Sequence, residues 1–150
     1  MGNFRVSQEY KGANHKGLDL VPLETKEVHA VTNGTVIRAG WENPNDPSQG
    51  WGLRVVIKQD NSDRYFYYGH LSNIKVCKGQ KVKITDIIGI CGNTGCSTGE
   101  HLHIECRLYD NRAIFKDISK ILKIPNKKGT YNDGYVENVK KCPYCGQEMR

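Results

Sequence analysis

The feature that most constrains the fold is residues 92–105 (GNTGCSTGEHLHIE), in which turn-forming residues lead directly into an alternating strand. Side chains alternate between the two faces of a strand, so His101 and His103 share one face while Leu102 and Ile104 share the other. The apolar face predicts a core on one side of the strand, and the polar face predicts a site on the other. Same-face neighbours have backbones roughly 7 Å apart. Two imidazoles at that spacing can both bind one zinc ion, or one can bind while the other works beside it.

The chain has 150 residues, enough to bury one hydrophobic core without cross-links, so we expect one main domain. Its six cysteines are too sparse and irregular for a small secreted disulfide scaffold, and reduced thiols or a metal site are expected instead. The first residues contain no apolar run, so we expect neither a signal peptide nor a membrane-spanning helix, and we expect synthesis in the cytoplasm. A formal net charge of +6 favours an anionic partner without choosing between nucleic acid, a membrane surface and an acidic cell-wall polymer.

A second polar motif, HKGLD, occupies residues 15–19. Gly17 inside it and Pro22 after it argue against a helix. In an extended strand, His15 and Asp19 would stand about 13 Å apart. We therefore expect a bend at Gly17, which tolerates backbone angles that other residues avoid, to bring both side chains onto one cation. By itself, this motif is as consistent with a chance pattern as with a site.

Most of the remaining sequence predicts short β-strands. Residues 28–39 are apolar on both sides of Asn33-Gly34, a pair typical of hairpin turns, so a β-hairpin is expected there. His70 is expected just past the end of a strand, in the segment YGHLS. Four further strands are predicted, at residues 53–58, 64–68, 76–82 and 84–90.

The C-terminal part divides into a helix, a linker and a tail. Apolar residues at helical spacing in residues 111–124 predict a short helix that ends the main domain, which is expected to span residues 1–125. Residues 126–150 then form a polar linker and a CPYCG tail, in which Cys142 and Cys145 resemble one knuckle of a zinc ribbon. A four-cysteine site needs a second pair, from the other cysteines or from a second chain, and an oxidised pair is the remaining alternative. We hypothesise a second, structural zinc or a tail-mediated dimer.

Four of the five histidines fall in three segments that each offer groups suited to metal chemistry: His15 with Asp19, His70 alone, and His101 with His103. Two imidazoles and one carboxylate fill three zinc positions and leave the fourth for water. That is the open arrangement of a catalytic zinc rather than the closed arrangement of a structural one.

The motifs HKGLD, YGHLS and GNTGCSTGEHLHIE, in this order with strand-rich sequence between them, resemble the M23 metallopeptidases, the lysostaphin and LytM family of peptidoglycan endopeptidases. The resemblance covers most of the chain. It implies a mainly β protein with an antiparallel LytM-type (duplicated hybrid motif) sheet, an open groove and a short C-terminal helix. It also assigns five site residues, with zinc ligands His15, Asp19 and His103 and unliganded catalytic residues His70 and His101.

The same resemblance implies a zinc metalloendopeptidase that uses one catalytic zinc to hydrolyse peptide bonds of bacterial peptidoglycan stems or cross-bridges. We assign His101 as the general base and His70 to stabilisation of the oxyanion. The family is commonly exported, whereas this chain begins almost at the catalytic motifs. That fits a bacteriophage or prophage lysin (endolysin) that reaches the cell wall after lysis or within a virion, and an excised domain of a larger protein would look the same.

Two other classes of function explain less of the sequence. A non-catalytic binding role is disfavoured because all five site residues are present, and such proteins typically lose metal ligands. Nucleic-acid binding through the basic surface would leave the histidine motifs unexplained. We therefore expect peptidoglycan as the partner, with no nucleic acid and no membrane span, for a chain that is a monomer or a tail-mediated dimer.

Overall fold

Short runs of apolar and β-branched residues, separated by turns rich in glycine, asparagine and proline, form β-strands along most of the chain. The computed structural model describes residues 1–132 and the backbone of residues 140–141 and 148–149. These residues contain a 3-10 helix at Gly12–Asn14, an α-helix α1 at Ile118–Leu122, and the following strands: β1 Asn3–Gln8, β2 Gly17–Pro22, β3 Glu27–His29, β4 Gly34–Trp41, β5 Leu53–Gln59, β6 Arg64–Ile74, β7 Lys81–Val82, β8 Ile87–Cys91, β9 Leu102–Leu108, β10 Phe115–Lys116, β11 Gly129–Asn132, β12 Lys140–Lys141 and β13 Glu148–Met149.

The main sheet is antiparallel and runs in the order β11-β1-β2-β9-β6-β5-β4-β7. Strand β10 pairs with β9, while β8 pairs with β6 and carries β3 on its other side. Strands β12 and β13 pair only with each other among the described residues. This architecture confirms the predicted fold class, a mainly antiparallel β protein with a short helix near its C-terminal end.

The core lies against one face of the central strands. Leu18 of β2, Ile104 of β9, Tyr68 of β6 and Val55 of β5 stand side by side in the register, and each is at most 1% exposed. Burying a large apolar side chain stabilises the fold by roughly 1.5–3 kcal/mol. Because adjacent residues point to opposite faces, this buried row directs the neighbouring positions of β2 and β9 to the other side of the sheet.

The expected hairpin at residues 28–39 does not form. Strand β3 pairs with β8, whereas β4 pairs with β5 and β7. A tight hairpin turn at Asn33-Gly34 would need positive φ at both residues, and neither has it. Instead, Asn33 accepts hydrogen bonds from the backbone amides of Ile84 and Asp60, so it joins two other turns.

Other element boundaries also differ from the sequence-based prediction. Strand β6 continues through His70 to Ile74, the strand predicted at residues 76–82 is reduced to β7, and the one predicted at residues 84–90 begins only at Ile87. The helix starts late because the residues before it form β10, which pairs with β9. The expected linker contributes β11, which pairs with β1, so the sheet extends past the domain end expected at residue 125. No helix in the described part of the chain is long and apolar enough to cross a membrane.

Candidate metal and catalytic site

The pairing of β2 with β9 brings two polar motifs together on the face opposite the core. Asp19 lies directly across from His103, and its Oδ1 is 2.7 Å from His103 Nδ1 and 3.3 Å from His15 Nε2. One donor atom from each of these three residues lies within 4.8 Å of the other two. Two imidazole nitrogens and a carboxylate oxygen are donors that suit zinc, so this group fits the cation implied by the sequence.

Gly17 contributes through its missing side chain and not through a bend. Strand β2 runs extended from Gly17 onwards, and the φ angle of Gly17 is not in the left-handed region. A Cβ atom at Gly17 would lie 2.9 Å from His103 Nε2 and 2.3 Å from the carbonyl oxygen of Ile104. The imidazole of His103 therefore packs beside Gly17, with its ring centroid 5.0 Å from that of His15. The expected bend at Gly17 is wrong, because β2 is extended there and the missing side chain leaves room for the imidazole of His103.

His70 reaches the site through a bulge in β6. Tyr68, two residues earlier on the strand, belongs to the buried row. Strict alternation would therefore point His70 towards the core as well. Instead, His70 has a φ of 63°, and the register between β5 and β6 shifts beside it. A non-glycine residue in this region costs roughly 1–3 kcal/mol, and such strain is concentrated at functional sites. The bulge places the ring centroid of His70 4.7 Å from that of His101 and 6.4 Å from that of His103.

Three of the histidines have their proton positions fixed by backbone carbonyls. A carbonyl oxygen only accepts hydrogen bonds, so each Nδ1 in contact with one carries the proton, and the opposite Nε2 presents a lone pair when the ring is neutral. The Nδ1–H donors and their carbonyl acceptors are His15 to Glu9 at 2.6 Å, His70 to Thr94 at 2.7 Å and His101 to Gly99 at 2.7 Å. Burial, which disfavours the imidazolium, lowers the pKa of His70 below its usual value.

His103 has the opposite arrangement, because its Nε2 donates to Glu105 Oε1 at 3.0 Å and its Nδ1 faces Asp19. Burial alone would lower the pKa of His103, but the two carboxylates outweigh it and raise the pKa to about 9. Burial alone would raise the pKa of Asp19, but hydrogen bonds from His103 and His15 hold it well below its usual range. The site therefore favours positive charge beside Asp19, which suits a divalent cation.

An aromatic and cationic layer lies next to the histidines. The Trp51 ring contacts His103 edge-on at 4.8 Å between centroids, and a Cβ on Gly69 would come within 2.3 Å of that indole ring. The Arg107 guanidinium lies 4.1 Å from the centre of the Tyr67 ring and 5.6 Å from that of Trp51. Arg107 also donates to Glu105 Oε2 at 2.6 Å. The acceptor of His103 is thus held by Arg107, whose guanidinium packs against two aromatic rings.

The structure brings together all five residues predicted for the site, since His101 Nε2 also lies 3.7 Å from Asp19 Oδ2. Their division into metal ligands and catalytic groups stays a prediction. Sequence reasoning missed Glu105 and Arg107, although both continue the period-two face of His101 and His103. No comparable signal marked Trp51 or Thr94. The predicted tail site at Cys142 and Cys145 lies outside the described residues.

Most of the chain is similar to known proteins. The model of "Peptidase family M23" matches residues 13–115. The chain is 35% identical over 94 residues to glycyl-glycine endopeptidase ALE-1 of Staphylococcus capitis, covering 63% of this chain and 25% of the relative. It is 36% identical over 107 residues to endolysin 2638A of Staphylococcus phage 2638A, covering 68% of this chain and 21% of that relative.

Among solved structures, the catalytic domain of lysostaphin from Staphylococcus simulans superposes with a TM-score of 0.66 at 29% identity, covering 79% of this chain and 89% of that domain. The chain spans a quarter or less of the length of the two curated relatives above, so the similarity concerns only part of each.

Proposed function

Since this chain belongs to peptidase family M23, we propose that it is a zinc metalloendopeptidase that hydrolyses peptide bonds in bacterial peptidoglycan stems or cross-bridges. It is related to the lysostaphin-like peptidoglycan endopeptidases. The observation that carries the proposal is the convergence of a His/Asp/His donor set with two further imidazoles on one face of the sheet. A purely structural metal site would have no use for the second pair of histidines.

In this proposal, zinc is held by His15 Nε2, Asp19 and His103 Nδ1, and it supplies Lewis acidity when bound. The carbonyl of Glu9 orients His15, and the carboxylate of Glu105 orients His103. Hydrogen bonds to the far side of ligating imidazoles fix the ring orientation and increase ligand basicity. The proposed ligands are therefore positioned by backbone and side-chain contacts from β9 and from the loop that leads into β2.

His101 serves as the general base in this scheme. Its Nδ1–H is held by Gly99, so Nε2 is free to take a proton from the attacking water and to return it to the leaving amine. His70 is assigned to the oxyanion, which it stabilises by donating from a protonated Nε2 while Nδ1–H stays on Thr94. Because burial lowers the pKa of His70, the proton that it donates to the oxyanion is the one that His101, the nearest imidazole, takes from the water. That proton returns through His101 to the leaving amine when the intermediate collapses.

The activity is tested by mass spectrometry of fragments released from two purified peptidoglycans, one directly cross-linked and one glycine-bridged. New amine and carboxyl ends at one defined peptide bond, absent with the His101→Ala protein, would support the proposal and identify the bond. If zinc-loaded protein releases no fragments from either wall, the proposed substrate is wrong.

The histidine roles are tested by replacing each residue separately. His70→Ala and His101→Ala are each expected to lower the cleavage rate by roughly 10²–10⁴-fold, the usual contribution of a positioned acid or base. Zinc content, measured by elemental mass spectrometry, should equal that of the wild type because neither residue is a proposed ligand. Retained activity in both variants, or loss of zinc in either, would contradict these assignments.

The proposal extends to a bacteriophage or prophage lysin that acts on the cell wall after lysis or as part of a virion. It is supported by the similarity to the endolysin of a staphylococcal phage. Purified protein added to cell-wall preparations and to intact staphylococci should lower the turbidity of both suspensions. Clearing of neither suspension would contradict a lysin role.

A further inference from the structure

Thr94 bridges two strands at the bulge that delivers His70. Its hydroxyl donates to the carbonyl oxygen of Leu71 at 2.6 Å and accepts from the amide of Leu53 at 3.1 Å. Leu53 and Leu71 are cross-strand partners on β5 and β6, and the register shifts immediately beyond them. One side chain thus satisfies a donor and an acceptor beside the point where the ladder is interrupted.

The same residue also holds the ring of His70. The carbonyl oxygen of Thr94 accepts the Nδ1–H of His70 at 2.7 Å. The backbone amide of His70 donates to the Trp51 carbonyl at 2.7 Å, so both the main chain and the ring of His70 are fixed by loop residues. Of these contacts, only the hydrogen bond to the Thr94 carbonyl reaches the ring, and the hydroxyl of Thr94 is bound to both strands.

The surrounding loops hold the residues that follow Thr94. Gly95 and Cys96, which follow it, donate to the carbonyls of Pro47 and Gly50 at 3.0 and 2.8 Å. A Cβ on Gly52 would lie 2.4 Å from the amide nitrogen of Gly95, so the two loops touch backbone to backbone. These contacts hold the residues after Thr94, while its hydroxyl holds Thr94 itself to the two strands.

We propose that Thr94 is a positioning residue for His70. Its hydroxyl anchors the loop to both strands beside the bulge, and its carbonyl keeps His70 in the Nδ1–H tautomer, with the ring centroid 4.7 Å from that of His101. This inference rests on the proposed function for its catalytic consequence, but the tautomer of His70 can be measured without any substrate. A misplacement of about 1 Å in a catalytic group can lower the rate by as much as about 10²-fold.

The test compares Thr94→Val, which keeps the shape of threonine and removes the hydroxyl, with Thr94→Ser, which keeps the hydroxyl. In the zinc-loaded proteins, long-range ¹H–¹⁵N spectra of the His70 ring report which nitrogen carries the proton. Wild type and Thr94→Ser are expected to show the Nδ1–H form, and Thr94→Val a mixture of tautomers. With peptidoglycan, Thr94→Val should lower kcat by roughly 10–100-fold with KM and zinc content unchanged. Thr94→Ser should keep a kcat within about threefold of the wild type. The control variant Thr98→Val, at an exposed threonine, should do the same.

The outcomes separate this inference from the proposed function. An Nε2–H tautomer for His70 in the wild type would overturn it even if Thr94→Val fails to fold. It would equally be overturned if Thr94→Val folds with the wild-type tautomer and the wild-type kcat. A wild-type protein that cuts no peptidoglycan would end the proposed function, while the tautomer spectra would still decide whether Thr94 positions His70.

Discussion

Replacement of Glu105 by glutamine is expected to weaken zinc binding about tenfold. Glu105 is 3% exposed and accepts hydrogen bonds from His103 Nε2 and from Arg107 Nε. A hydrogen bond to a charged group contributes about 1.5–3 kcal/mol, and a neutral one about 0.5–1.5 kcal/mol. Glutamine keeps an acceptor oxygen but loses the charge, so the difference is about 1–1.5 kcal/mol, which corresponds to roughly tenfold in affinity. This lies at the lower end of the 10–100-fold range typical of such outer contacts.

The loss of zinc affinity in Glu105→Gln should depend on pH in a defined direction. The carboxylate of Glu105 helps to raise the pKa of His103 to about 9, so below that pH a proton competes with zinc for Nδ1. Glutamine lowers the pKa of His103 and relieves part of this competition, which offsets some of the loss at low pH. The difference in zinc affinity between Glu105→Gln and the wild type is therefore expected to be larger at pH 8.5 than at pH 6.5.

The assay is a zinc titration of metal-free protein in competition with a chromophoric chelator, at both pH values. Glu100→Gln is the matched control, because it removes the same charge from a residue whose partner is the exposed Lys26, 2.9 Å away. That variant should bind zinc within about twofold of the wild type, since exposed ion pairs contribute little. If folded Glu105→Gln protein binds zinc within twofold of the wild type at pH 8.5, the role given to Glu105 is wrong.

Two further predictions follow from the same strands. Gly17→Ala should lower the free energy of unfolding by roughly 1–3 kcal/mol in urea denaturation, because its Cβ would lie 2.3 Å from the carbonyl oxygen of Ile104. Gly99→Ala, which meets nothing within 4 Å, is the control, and an unchanged Gly17→Ala midpoint would argue against the close contact. Zinc binding at pH 7 should release about one proton, since His103, with its pKa raised to about 9, must lose the Nδ1 proton to become a ligand. The affinity for zinc should accordingly rise about tenfold per pH unit and level off above pH 9. Calorimetry in two buffers of different ionisation enthalpy measures the protons released, and a release of none would contradict this prediction.

Much of the site was predictable because its residues follow the side-chain alternation of a strand and short local motifs. The alternation from His101 to Ile104 assigned one face to chemistry and the other to the core, and the register of β9 against β2 and β6 agrees with that division. The same period continues to Glu105 and Arg107, so these two residues were accessible to the same reasoning. The short motif HKGLD identified His15 and Asp19 but not the way in which they approach each other.

Other features depended on contacts between distant segments. Asn33-Gly34 has the composition of a hairpin turn, yet the strands on either side pair with different partners, because a turn preference of a few residues is weaker than the burial of whole strands. The residues before α1 have helical spacing but pair with β9, for the same reason.

By itself, the sequence determined the strand-rich character of the chain and the two faces of β9, because side-chain alternation is a property of adjacent residues. Its motifs also carried the family resemblance that implied the fold class and the five site residues. Only the tertiary structure decided how those residues are oriented. The bulge that turns His70 away from the core, the place of His103 beside Gly17 and the bridge made by Thr94 all arise where strands and loops far apart in the chain meet. Their geometry follows from register and packing across the sheet, which no local pattern of residues encodes.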